Sequence, residues 1–156
     1  MVSTEITQQP TGSHFIKEIA NSPNQSLLPL TATVNSQDHL EIGGCDVTEL
    51  AARFGSPLYI MDEYSIRSAC RQYREGLANN YSGDSLVIYA SKALNCLGIC
   101  ALVASEGLGI DVASGGELYT ALQAGVAAEK IYLHGNNKSR QELQEAIDCG
   151  CTIVAD

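Results

Sequence analysis

The chain has 156 residues, 45% hydrophobic and 17% charged, with eighteen Asp and Glu against nine Lys and Arg and a formal net charge of -9. That is enough for one domain with a core of its own, and the acidic balance argues against nucleic acid and anionic membranes as main partners. No stretch approaches the ~20 apolar residues of a membrane span, and residues 1–15 lack the basic and apolar regions of a secretory signal, so a cytoplasmic protein is expected.

In chain order, residues 1–26 are polar and without period, and read as a loose tail. Residues 27–61 follow. Two short extended pieces flank a turn at Asn35-Ser36-Gln37-Asp38. Asp46 caps a short helix, Glu49 completes a capping box and Gly55 ends it. "PLYIM" reads as a strand. From residue 62 a helix begins, with Ile66, Cys70, Tyr73 and Leu77 as one apolar stripe. Arg67, Arg71 and Arg74 lie on another face, which is expected to be solvated. The six cysteines, Cys45, Cys70, Cys96, Cys100, Cys149 and Cys151, form no C-x-x-C pair and no zinc-type spacing. They read as reduced, mostly buried thiols, with Cys96 and Cys100 sharing a helix face, and no metal site is expected.

From residue 85 the pattern is regular. Four apolar runs, "SLVIYAS", "LGIDVAS", "KIYLHG" and "CTIVAD", alternate with helix-like segments that end at Gly107, Gly125 and Gly150. Capping boxes, Ser114 with Glu117 and Ser139 with Glu142, open the second and third helices. Such tight β/α repetition predicts an α/β fold with a parallel sheet. Parallel strands deliver Lys92, Asp111, His134 with Asn136, and Asp156 to one rim, where α/β folds build their sites. Four repeats make half of a (β/α)8 barrel of the TIM type, and a half barrel leaves an open edge. The chain is therefore expected to be part of a longer one.

Alternation in "LVIYASK" puts Leu86, Ile88, Ala90 and Lys92 on one face. An ammonium ending an apolar row is partly desolvated, which favours the neutral amine, and a neutral amine attacks carbonyls. The ordinary alternative is a solvated lysine closing a strand. Asp111 is expected near Lys92, or else in loop hydrogen bonds. Capping accounts for Glu117. His134 is either close to a ligand or satisfied by backbone. Asn136, Asn137 and Lys138 read as a rim loop, and Gly115-Gly116 as a weak phosphate-cradling turn.

"YASKALN" resembles the Tyr-Ala-x-Lys-Ala-Asn signature of the fold-type III pyridoxal-phosphate enzymes, with Leu94 inserted before Asn95. "PLYIMDEYSIR", "GLGIDVASGGEL" and "IYLHGNNKS" resemble, in order, three segments of the diaminopimelate decarboxylases. The resemblance runs from about residue 31 to the end. It implies that 62–156 are the first half of a barrel holding pyridoxal 5'-phosphate. It also implies that the strands of 27–61 belong with a C-terminal β-domain and that the full-length enzyme is a homodimer. Lys92 is then the Schiff-base lysine, and Asp111 and His134 are candidate cofactor contacts. The implied reaction is PLP-dependent decarboxylation of meso-diaminopimelate to L-lysine, the last step of lysine biosynthesis, with the isolated chain inactive. Three alternatives stand beside it: a related decarboxylase acting on ornithine, arginine or carboxynorspermidine, a non-catalytic relative that binds the cofactor, and a generic α/β domain.

Overall fold

A computed structural model of the chain describes residues 23–155, so the expected tail up to residue 22 and Asp156 lie outside the described residues. The chain divides into two compact units, one through Ser65 and one from Ile66.

In the first unit, β1 (Thr33–Val34) and β2 (Leu40–Ile42) form the expected hairpin, pairing Thr33 with Glu41 and Val34 with Leu40. The Asn35 side-chain oxygen accepts the N–H groups of Gln37 and His39, both at 3.0 Å, which is the usual reason asparagine opens a turn. A third strand, β3 (Cys45–Asp46), pairs antiparallel with β2. Sequence patterning misses it, because Asp46 belongs to both β3 and the helix it caps.

That helix, α1 (Val47–Phe54), ends at Gly55 as expected. One Asp46 oxygen accepts from the N–H groups of Thr48 and Glu49, and the other accepts from Asn35 at 2.7 Å and meets His39 Nδ1 at 2.8 Å. Hydrogen bonds from Thr48 first, then His39 and Asn35, hold the carboxyl well below the usual carboxylate range. The expected Asp46–Glu49 box is not closed: Glu49 gives its N–H alone, and the hairpin supplies the other partners. "PLYIM" is not a strand. Leu58, Tyr59 and Met61 are exposed there, and residues 57–61 have no ladder partner among the described residues.

In the second unit, β4 (Ile88–Ala90), β5 (Gly109–Val112), β6 (Ile131–Leu133) and β7 (Thr152–Ile153) form one parallel sheet in chain order. Between them run α3 (Leu97–Ser105), α4 (Gly115–Gln123) and α5 (Arg140–Cys149). The α/β expectation holds strand by strand. Gly107, Gly125 and Gly150 all adopt left-handed backbone, with φ 85°, 81° and 81°, so each helix is stopped by a residue that pays no Cβ penalty there.

Ile110, Val112, Ile131 and Leu133 have no exposed surface and pack with Leu118, Ala121 and Ala146 of the helices. Ser91 is also wholly buried, and its hydroxyl has no hydrogen-bond partner among the described residues.

The helix α2 (Glu63–Asn80) meets this core through Cys70, with Ile66 packed beside it. Tyr73, expected in the stripe, is 71% exposed. On the arginine face Arg71 and Arg74 are exposed as expected, but all three arginines also bind one partner. Arg67 reaches Glu106 at 2.8 Å, and Arg71 makes a bidentate contact at 2.9 Å through both oxygens. Arg74 donates to the Glu106 carbonyl at 2.6 Å. Glu106, just past α3, is buried, and the hydrogen bonds from Arg71 and then Arg67 hold its carboxyl down at about 2. The cysteine expectation also changes. All six are free, but only Cys70 and Cys100 are buried. Cys96 precedes α3 as its exposed cap and does not share a packed face with Cys100.

Three outcomes follow from this packing. Leu133→Ala should cost about 2–5 kcal/mol in chemical denaturation, since it opens a cavity under three strands. Ser91→Ala should leave the unfolding midpoint unchanged or raise it, because it removes a buried hydroxyl that has no partner among the described residues. Glu106 has a depressed carboxyl, so its contribution is present above the ordinary value of 4.5 and fades as pH falls towards about 2. The stability gap between wild type and Glu106→Gln, followed by urea midpoints, should therefore be widest above pH 4.5 and close on acidification.

Candidate active site

The parallel register sets the site. Ala90 pairs with Asp111, Asp111 with Tyr132, and Tyr132 with Thr152. Neighbouring residues on a strand face opposite ways. Since Ile110, Val112, Ile131 and Leu133 are buried under the helices, Asp111 and Tyr132 face the other side. Ala90, Asp111, Tyr132 and Thr152 thus form one row across that open face.

His134 follows β6. Its N–H donates to Val112 O at 2.8 Å, extending the ladder by one rung. Its Nδ1 stands 3.7 Å from Asp111 Oδ1, with the imidazole half exposed and the carboxylate 28% exposed. The two residues that sequence reading proposed separately as cofactor contacts are therefore neighbours.

Lys92 departs from expectation. The strand ends at Ala90, and residues Ser91–Ala93 form a single 3-10 turn. Lys92 lies on this turn and is exposed, not held in a desolvated row. The alternation argument fails because it needs a ladder, and the ladder stops two residues earlier. The turn is tied down by Tyr89, whose hydroxyl donates to Leu94 O at 3.2 Å across it. Asn95 lies with its amide 4.0 Å from Cys100 Sγ at the start of α3.

The other rim candidates have structural partners. The Ser114 hydroxyl accepts from the Glu117 N–H, but the Glu117 carboxylate accepts from Ala113 N, so this box is only half of the expected one. The Ser139–Glu142 box is complete. The Gly115 N–H, read as a possible phosphate donor, instead donates to Glu142 Oε1 at 2.8 Å. That carboxylate also accepts from Ser139 N at 2.8 Å, and these backbone bonds lower its pKa. A carboxylate of the chain itself thus occupies the place an anion would take. Asn136 and Asn137 are exposed, and the Lys138 ammonium donates to the carbonyls of Gly135 and Val154.

Two site residues were missed in the sequence. Tyr89 holds the lysine turn, and Tyr132 flanks Asp111 in the open-face row. Tyr132 had a readable signal, since alternation in "KIYLHG" puts it on the same face as His134. Tyr89 had none, because its partner is a backbone carbonyl beyond the turn.

Chemically, successive strand ends carry an accessible primary amine on the turn after β4, a carboxylate on β5 and an imidazole after β6. This donor set fits pyridoxal phosphate at its aldehyde, which an amine captures, and offers two groups able to hold or move a proton. Among the described residues no helix is long and apolar enough to cross a membrane.

Comparison with known proteins gives the same direction. Residues 63–156 match the family model described as "Pyridoxal-dependent decarboxylase, pyridoxal binding domain". The chain is 55% identical, over its whole length, to 35% of a diaminopimelate decarboxylase of a Synechocystis strain. It is 45% identical over 80% of its length to 28% of the Bacillus subtilis diaminopimelate decarboxylase. Its fold matches the crystal structure of the M. jannaschii diaminopimelate decarboxylase in co-complex with L-lysine. There the TM-score is 0.71 with 34% identity, covering 81% of this chain and 30% of that one. The chain spans about a third of the length of the curated relatives it matches. With the amine, carboxylate and imidazole on the strand ends that the matched domain covers, the chain belongs to the pyridoxal-dependent decarboxylases, through their pyridoxal binding domain.

Proposed function

We propose that Lys92 holds pyridoxal 5'-phosphate, and that the protein containing this chain decarboxylates meso-diaminopimelate to L-lysine and carbon dioxide. One observation carries the cofactor reading: an accessible lysine, fixed on a turn at the end of β4, beside strands whose ends bring Asp111 and His134 within 3.7 Å of each other. The substrate reading rests on the similarity to diaminopimelate decarboxylases, including one solved with L-lysine, the product of that reaction.

When bound, the cofactor's ring takes up the electron pair left by loss of carbon dioxide. The chain's residues supply the rest. Lys92 Nζ would hold the cofactor at its aldehyde carbon, give it up to the substrate amine and take it back when product leaves. Asp111 orients the His134 imidazole, and the pair flanks the cofactor on the open face. Burial of the opposite face of β5 and β6 keeps both side chains on that side. The resemblance extends the proposal to the whole protein: a cytoplasmic homodimer in which residues 27–61 belong with a β-domain.

The test is covalent mapping. The intact protein is incubated with pyridoxal phosphate, reduced with borohydride, digested and analysed by mass spectrometry. The pyridoxyl mass is expected on the peptide bearing Lys92. Lys92→Ala should abolish that adduct and lower meso-diaminopimelate turnover by about a thousandfold, the middle of the range for loss of a proton-transfer group. A folded wild-type protein that leaves Lys92 unmodified would sink the reading. An adduct on Lys92 with turnover of ornithine or arginine but not meso-diaminopimelate would keep the cofactor assignment and overturn the substrate.

A further inference from the structure

The rim beyond the last paired residues is held by a side chain. The ladder between β6 and β7 ends at Leu133 and Ile153, and the Val154 N–H adds one rung to Leu133 O at 2.9 Å. Past that point the chain after β6 turns sharply at Gly135, where φ is 107°, a backbone conformation that residues with a Cβ rarely adopt. The link following His134 therefore rests on a glycine, with no side chain of its own to hold it. Lys138, three residues further on, spans it. Its half-buried ammonium donates to Gly135 O and, at 2.7 Å, to Val154 O.

We propose that Lys138 is a positioning residue for the site. Its ammonium replaces the missing backbone rung between the ends of β6 and β7, and so holds His134 against Asp111. The inference rests on the cofactor reading above for its functional consequence, but not for its geometry. Constraints on His134 include its own N–H bonded to Val112 O on one side and the Gly135 carbonyl pinned to β7 through Lys138 on the other. Loss of the second loosens the Gly135 link and weakens the hold on the 3.7 Å approach of His134 to Asp111. A lysine suits this task because its ammonium presents three donors that can point at two carbonyls on different strands.

The test compares Lys138→Met, which keeps the apolar stem, with Lys138→Arg, which keeps the charge and the donors, both in the intact protein. Three readouts are taken: pyridoxal phosphate affinity by titration, the His134 imidazole resonances by NMR on the cofactor-free protein, and the thermal midpoint. Lys138→Met should move the His134 resonances and weaken cofactor binding. It should lower turnover by roughly tenfold to a hundredfold, the scale of a misplacement of about 1 Å. Lys138→Arg should restore most of each. Because Lys138 acts through His134, the double variant Lys138→Met, His134→Asn should bind cofactor no more weakly than His134→Asn alone.

Unmoved His134 resonances with wild-type cofactor affinity in Lys138→Met would overturn the proposal. So would losses in the double variant equal to the product of the single losses. If Lys138→Met does not fold, Lys138→Gln, which keeps a donor and loses the charge, carries the same comparison. The NMR arm needs no cofactor. Failure of Lys92 to form an adduct, with His134 still displaced in Lys138→Met, would therefore remove the cofactor reading and leave the positioning role standing.

Discussion

Four wholly buried side chains, Ile110, Val112, Ile131 and Leu133, fix which way every other residue of β5 and β6 must face. In a strand the period is two, so a slip of one position would carry Asp111 and Tyr132 into the core and expose four aliphatic groups. Burying one such side chain contributes about 1.5–3 kcal/mol, and a carboxylate driven into the core would add a further penalty. The open-face row of Ala90, Asp111, Tyr132 and Thr152 is thus the complement of the core. The placement of His134 follows from it, since its N–H continues the same ladder onto Val112.

A second constraint is electrostatic and acts on α2. Only Cys70 of that helix is buried, so apolar contact alone holds it weakly. Glu106 supplies the rest by drawing in three arginines at i, i+4 and i+7, two through its carboxylate and one through its carbonyl. Bidentate arginine contacts are among the stronger hydrogen bonds available to a carboxylate. A buried charge of this kind is costly unless it is fully paired, and Glu106 is paired on both oxygens. The position where α3 ends therefore sets where α2 lies.

Local patterns were legible wherever their cause is local. The β/α alternation, the glycine stops and the Ser139–Glu142 box depend on residues a few positions apart, and all are found as read. Arg67, Arg71 and Arg74 could not be told from a solvated face, because what makes them structural is one glutamate more than thirty positions away. Tyr73 fits the helical stripe by spacing, yet its ring lies in solvent while the arginines beside it bind Glu106. "PLYIM" has the composition of a strand, but a strand exists only with a partner. Asp111 and His134 were readable as rim residues, whereas their contact required the register. Glu142, filling the Gly115 N–H, and Lys138, binding two carbonyls, act across turns that no periodicity announces.

Lys92 shows what a broken pattern implies for chemistry. Continued alternation would have placed the amine in an apolar row, where burial itself favours the uncharged form. The turn at Ser91–Ala93 places it in contact with water instead. The structure compensates through position: Tyr89 clamps the turn from one side, and Ser91 is sunk into the core directly before the lysine. The Ser91 hydroxyl, without a partner among the described residues, is buried on one side of the turn while Lys92 is exposed beside it. Anchoring of the backbone on either side, with the side chain exposed, suits the role proposed for Lys92, in which it holds a ligand, releases it and takes it back.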